Sequence, residues 1–325
     1  MEAKRGGMME GLFSFGQRQV FRLAFLLLVA DGGIAAQPGL RAWSSDEIQR
    51  DQGPLRVMAI VAHPDDADFR MGCLAIKLAK MGARVRFVSL CNGNMGHQTM
   101  SPPDLAARRN REAQEAGKKY GIEKYTVLDN GDCTLMPDYE RRVEIVRIIR
   151  EFQPDFIVTH RTCDYHADHR AAGQLVQDAG YLLGVPHWVP EAPVQRKRPV
   201  ILFATDTFTQ PRLLRPDIMV DAGPYLEQWC EGVNCHVSQV YEWLPWDSGY
   251  QSELAKAKES KASRNEYLIR HWAGRKKNDA KRFAAAWRER HPDKPVPKYM
   301  EVFEVSEYGR TPSEGDLARF AGLLK

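Results

Sequence analysis

Several large function classes are excluded by what this chain lacks. It has six cysteines in 325 residues and no Cys-x-x-Cys, which removes a zinc ribbon and a thioredoxin-type redox motif. No G-x-G-x-x-G turn follows its first apolar strand, so the fingerprint that lets backbone amides approach a pyrophosphate is missing. Charge of one sign is also scarce. With 46 Lys and Arg against 42 Asp and Glu, the formal charge is +4, too slight to indicate nucleic acid or an anionic bilayer as partner. The apolar run Leu23 to Ala30 is too short to span a membrane, and no internal repeat occurs. By elimination, the partner is a small-molecule or glycan substrate.

The amino terminus reads differently from the rest. Lys4, Arg5, Arg18 and Arg22 precede Leu23-Ala24-Phe25-Leu26-Leu27-Leu28-Val29-Ala30, and small residues follow through Ala36. This is signal-peptide grammar. It predicts a leader or membrane tether over 1–36, a single catalytic domain with a helical C-terminal extension over 37–325, and export to the periplasm or beyond. No stable membrane insertion is expected after processing, and nothing indicates an oligomer. A tail or an amphipathic surface helix would fit the same run. In an oxidising compartment disulfides form; Cys230 and Cys235, sharing one segment, are the candidates to pair. Cys73, Cys91, Cys133 and Cys163 read as small buried hydrophobes.

From Leu55 onward the pattern alternates between strand and helix. Val57 to Ala62 is a continuous apolar run of strand length, Leu74 to Ala79 has helical spacing and stops at Gly82, and Arg84 to Leu90 is a second strand. An uninterrupted apolar strand implies burial on both faces of a parallel sheet. Helix over Leu105 to Tyr120, strand over Tyr125 to Leu128, helix over Tyr139 to Phe152, strand over Phe156 to Thr159 and helix over Ala171 to Leu182 continue the series. The fold class is therefore α/β, a Rossmann-like, doubly wound, mostly parallel sheet with helices on both faces. Its ligands belong at the carboxyl ends of the strands. After a proline-rich loop, Pro199 to Ala204 and Lys298 to Val305 return as strands. Glu253 to Glu289 reads as helix with a solvated basic face.

The chemistry is concentrated in His63-Pro64-Asp65-Asp66 and His166-Ala167-Asp168-His169. The first stands where a nucleotide-binding protein would carry its glycine turn. An imidazole and two carboxylates there repel phosphate and suit a divalent cation. Helix capping by Asp65 or Asp66 would explain the first run alone. A second run at the same sheet edge, with His166 and His169 one helical turn apart, is hard to explain as a cap.

Together with Asp164-Tyr165 and Arg170 around the second run, these motifs resemble the LmbE/PIG-L superfamily of zinc-dependent N-deacetylases. The resemblance extends from Leu55 to Trp246. It takes in Arg109-Asn110-Arg111-Glu112, Asp132, and His236-Val237-Ser238-Gln239. It implies that His63, Asp66 and His169 ligate zinc or another divalent metal, that Asp65 is the general base, and that a cationic His166, oriented by Asp168, stabilises the oxyanion. It also implies substrate contacts from Arg109, Asp132 and His236. The family often has glutamate directly after the two aspartates or one residue later, where this chain has Ala67 and then the shorter acid Asp68, and in place of the family's glycine-rich continuation it has Arg70-Met71-Gly72-Cys73. Arg70 is either a substrate contact at the rim or a partner of Asp68. Turn chemistry would also account for Asp132, and a helix-surface pair with Glu112 for Arg109. Tyr241 to Trp246 reads as core packing, with a sugar-stacking wall as the alternative, and His160 as a residue behind the metal site.

The activity expected is removal of acetyl from an N-acetylated amino sugar or glycoconjugate of N-acetylglucosamine type. Two rivals stand beside it: an amidase acting on a larger N-acyl or thiol conjugate, and a non-catalytic, metal-containing carbohydrate-binding protein.

Overall fold

The computed structural model describes residues 53–313 together with Gly315, Asp316 and Phe320; the leader expected over 1–36 lies outside them. Seven strands form one sheet in the order β3-β2-β1-β4-β5-β7-β6. These are β1 (Arg56–Val61), β2 (Arg84–Cys91), β3 (Lys124–Asn130), β4 (Phe156–Thr159), β5 (Val200–Ala204), β6 (Ile218–Asp221) and β7 (Met300–Val305). β1 to β5 are parallel, and β7 runs antiparallel between β5 and β6. The expected α/β, doubly wound sheet is what the chain adopts.

The continuous apolar strands are buried on both sides. Val57, Ala59 and Val61 pack into one core with α1 (Asp66–Lys80), α2 (Pro102–Tyr120) and the later α5 (Leu226–Val233). Met58 and Ile60 pack into the other, with α3 (Tyr139–Phe152) and α4 (Ala167–Leu182). Local signals set the helix limits. α2 opens on Pro102-Pro103 and stops at Gly121, whose φ of 73° is left-handed. α3 begins where the Asp138 side chain accepts the Arg141 N–H. α4 begins four residues earlier than its apolar spacing predicts, because the His166 ring caps it by accepting the Asp168 N–H.

The C-terminal extension is four short helices, α7 (Leu254–Ala257), α8 (Lys261–Trp272), α9 (Gly274–Arg282) and α10 (Ala284–Arg290), after α6 (Leu244–Ser248). Its basic face is not all solvated. Lys276 is buried, 2.9 Å from Glu301 on β7, and donates to the Phe69 carbonyl at 2.7 Å. Glu301 in turn accepts the Cys73 and Leu74 N–H groups of α1. This chain of contacts clamps the extension onto the helix that follows the first motif.

The expected Cys230–Cys235 pair does not form, and all six cysteines are free. α5 carries Cys230 into the core beside Trp229 and Val233, while Cys235 turns its thiol to the Glu231 carbonyl. Among the described residues no helix is long and apolar enough to cross a membrane.

Candidate active site

The strand order reverses at β1, which pairs with β2 on one side and β4 on the other. The helices that follow β1 and β4 leave towards opposite faces, so a crevice opens between the two carboxyl ends. Both His/Asp motifs sit there. After β1, Pro64 makes a tight turn in which the His63 carbonyl accepts the Asp65 and Asp66 N–H groups. The Asp65 side chain makes no cap bond, and Asp66 Oδ2 instead accepts the His63 N–H at 2.8 Å. Capping alone therefore does not account for these acids.

Each expected ligand is held by a carboxylate on its far side. His169 Nδ1 lies 2.9 Å from Asp164 Oδ1, which leaves Nε2 facing Asp66 Oδ1 at 3.3 Å. His63 Nε2 lies 3.0 Å from Asp132 and 3.1 Å from Asp168, which leaves Nδ1 facing Asp66 Oδ2 at 3.3 Å. One nitrogen of each ring thus points to Asp66 while a carboxylate fixes the other, the arrangement that sets tautomer and orientation at histidine–metal sites. Asp132 is thereby more than a turn residue.

The electrostatics agree with the donor set. Burial opposes charge on His63, yet Asp132, Asp168 and Asp66 outweigh it and raise the imidazole well above its usual range. Burial likewise opposes charge on His169, and Asp66 and Asp164 lift it to about 9. A surplus of carboxylates here favours a positive charge, and a mixed imidazole and carboxylate set suits zinc or a similar divalent ion. Donor atoms close enough to share one ion occur in His63–His166–His169 and in Asp66–His160–His169, so the residue types fit such a metal, while His63, Asp66 and His169 are joined through the two oxygens of Asp66. His160 also approaches Asp66 and His169, but its Nε2 accepts the Ala62 N–H at 3.2 Å, and its ring stacks on His169 at 4.3 Å. It forms a wall behind the site.

Asp65 faces the cleft from the other side of the turn. Arg109 reaches it at 3.1 Å while donating to the Gly93 carbonyl. Gly93 must be glycine: its φ is 68°, and a Cβ there would collide with the guanidinium. Burial lifts the Asp65 carboxyl above its usual range against the pull of Arg109. Arg109 is buried and committed to Asp65, not paired with Glu112, which instead accepts from Ser238.

Three expectations change. His236 does not contact the cleft: it is fully buried and binds Asp68 at 2.9 Å, with Tyr125 and Trp229 completing the cluster. Asp168 does not orient His166 with its carboxylate, which is taken by His63 and the Cys133 and Leu135 N–H groups. The surroundings of His166 favour its neutral form. Burial lowers its pKa, with repulsion from His63 and His169 adding, and Nδ1 accepts the Asp168 N–H, so the neutral ring carries its proton on Nε2.

The cleft has a volume of about 590 Å³ and is lined by His63, Asp65, Asp66, Asp132, His166 and His169. Arg70 lines it too, buried and 3.6 Å from Asp164 rather than paired with Asp68. Trp243 is at its wall, stacked on Trp246 at 5.4 Å, so that part of the aromatic segment is not core. The extension adds His271, Trp272 and Arg275, none of them foreseen. A tryptophan beside a histidine in an otherwise basic helix was the available signal.

Residues 58–180 match the family described as PIG-L, GlcNAc-PI de-N-acetylase. Among solved structures, the N,N'-diacetylchitobiose deacetylase of Pyrococcus horikoshii is similar at a TM-score of 0.58 and 20% identity, over 82% of this chain and 95% of its own. The 4-carboxy-2-hydroxymuconate hydratase of Pseudomonas putida gives 0.60 and 18%, over 80% and 99%. A conserved protein of Thermus thermophilus gives 0.54 and 19%, over 79% and 97%. Likeness at these identities is likeness of fold, and one named a deacetylase beside one named a hydratase shows that the fold does not choose the reaction.

Proposed function

We propose, from the match of residues 58–180 to the PIG-L family, that this chain is a metal-dependent hydrolase of that family. Its reaction in this reading is removal of acetyl from an N-acetylated amino sugar or glycoconjugate of N-acetylglucosamine type. The observation that carries it is the Asp65–Asp66 pair. One carboxylate is shared by the free nitrogens of His63 and His169, and its neighbour is buried at the cleft and gripped by Arg109.

The roles follow from the contacts. His63, Asp66 and His169 would hold the metal, zinc in this reading, which when bound polarises an acyl carbonyl and makes water acidic near neutrality. Asp65 takes the proton of the attacking water and returns it to the departing nitrogen; a carboxyl lifted by burial is suited to both halves of that exchange. Arg109 fixes the direction of Asp65. His166 donates its Nε2 proton to the developing oxyanion as a neutral ring. The Trp243 wall offers an apolar plane to a sugar face. Export through the leader over 1–36 belongs to the same proposal, and the amino-terminal sequence of the mature protein tests it.

A cleft of about 590 Å³ also favours a second reading, an amidase for a larger N-acyl conjugate. The deciding experiment is acetate release from a panel of N-acetylated sugars by metal-analysed protein, with longer acyl chains in competition. Release from an acetylated sugar that exceeds the long-chain rate supports the first reading. Equal or faster turnover of long chains moves the assignment to the second, and no release of any acyl group ends both.

A further inference from the structure

Two arginines from distant parts of the chain meet at the cleft. Arg70 in α1 and Arg275 in α9 both donate to the Thr205 carbonyl, at 2.7 and 3.2 Å. We propose that Arg275, with Arg70 beside it, forms an anion subsite that receives a carboxylate or phosphate group carried by the substrate. This rests on the hydrolase reading of the adjoining centre and adds the chemical class of what that centre acts on.

The surrounding acids are engaged elsewhere through one oxygen each: Asp164 Oδ1 meets His169 at 2.9 Å, Asp206 Oδ1 meets Arg161 at 3.3 Å, and Asp279 Oδ1 accepts the Thr205 hydroxyl at 3.3 Å. Of their second oxygens, that of Asp164 lies 3.6 Å from Arg70, and those of Asp206 and Asp279 are buried without a partner. Among the described residues Arg275 has no carboxylate within ion-pair distance. Among the described residues its guanidinium makes no side-chain hydrogen bond besides that to the Thr205 carbonyl, and Arg275 lines the cleft. Burial, and then repulsion from Arg70, lowers its pKa to about 10; the group stays charged, and an oxyanion between the two cations would relieve that repulsion. A planar guanidinium with an open edge matches a carboxylate or phosphate bidentately. Asp164 spans Arg70 and His169, which puts this subsite one carboxylate away from the expected metal ligands. Trp272, stacked on Phe69 at 5.1 Å, lines the same cleft.

The test uses the metal-loaded full chain and four probes: N-acetylglucosamine, its 1-phosphate, its 6-phosphate and its 3-O-lactyl ether, which carries a carboxylate. Binding is read by calorimetry and turnover by acetate release. At least one anionic probe should bind about 10-fold or more tighter than the neutral sugar. That ratio should fall to near one in R275M and to an intermediate value in R275K, which keeps the charge without the fork and so serves if R275M fails to fold. Which probe wins separates phosphate from carboxylate. Equal binding of all four probes, or a preference that survives in R275M and is unchanged in R275K, overturns the proposal. An Arg275-dependent preference without acetate release would leave the subsite standing and remove the deacetylase reading; acetate release without a preference would do the reverse.

Discussion

Two clusters of buried histidine and aspartate meet at the start of α1, built from the same residue types at similar distances. At the cleft, His63 meets Asp132 and Asp168 at 3.0 and 3.1 Å; behind it, His236 meets Asp68 at 2.9 Å. The difference is in the accounting of partners. Asp68 has its two oxygens on His236 and the Tyr125 hydroxyl, its carbonyl takes the Trp229 N–H, and neither it nor His236 has any exposed surface. The cleft cluster holds more carboxylates than one imidazole needs and opens onto a space a substrate can enter. A short His–Asp contact is therefore not a sign of function in itself. Function requires surplus donors and access.

Breaking the cleft cluster should have the largest effect. Asp65→Asn removes the proposed base and should lower turnover by about 10² to 10⁴-fold, while elemental analysis still finds metal. His169→Ala should lose the metal as well. Wild-type turnover in D65N would remove Asp65 as the base, and full metal in H169A would remove His169 from the ligand set.

The sealed cluster should respond in the opposite way. His236→Ala leaves the buried Asp68 side chain without its imidazole partner, which costs about 3–5 kcal/mol and lowers Tm by roughly 10 °C. Metal content, read below the transition, should be unchanged. A variant that keeps its Tm but loses metal would erase the distinction drawn between the clusters.

The cleft cluster was legible because its signal is local. His63 to Asp66 and His166 to His169 are contiguous runs, and the strands before them have the period of a doubly buried sheet, so their meeting at the β1/β4 edge follows from topology. The sealed cluster was not legible. Asp68 stands 168 positions from His236, and no short pattern joins them. Arg70 could be read as a rim contact, but its meeting with Arg275 was hidden for the same reason, since α9 reads as a solvated basic helix until Lys276 and Glu301 fasten it to α1. Asp164 stands just before the second run, but its two contacts, to His169 and Arg70, depend on how the loop before α4 folds. The orientation of His166 was not legible because the spacing places it with His169 on one helical turn. His166 is the cap, and this turns the Asp168 N–H rather than its carboxylate towards the ring.

A third carboxylate extends the comparison to the surface and should give the smallest effect. Glu123 bonds Arg84 at 2.6 Å and also pairs with Arg86, with 30% of its side chain exposed. The bond to Arg84, then that to Arg86, lowers its pKa from 4.5 to about 2. A carboxyl depressed in the folded state stabilises the fold above its unfolded pKa, and the contribution is lost as pH falls from 4.5 towards about 2. Solvent screening limits it to about 1 kcal/mol or less at neutral pH, and Arg86 keeps its contact with the Phe152 ring at 4.3 Å. Glu123→Gln should therefore lower stability slightly at pH 7, with the gap from wild type closing through that window in denaturant titrations. A gap as large as that of H236A, or one independent of pH, would mean that exposure does not separate this pair from the buried ones, and the contrast between sealed and open acids would have to be drawn on other grounds.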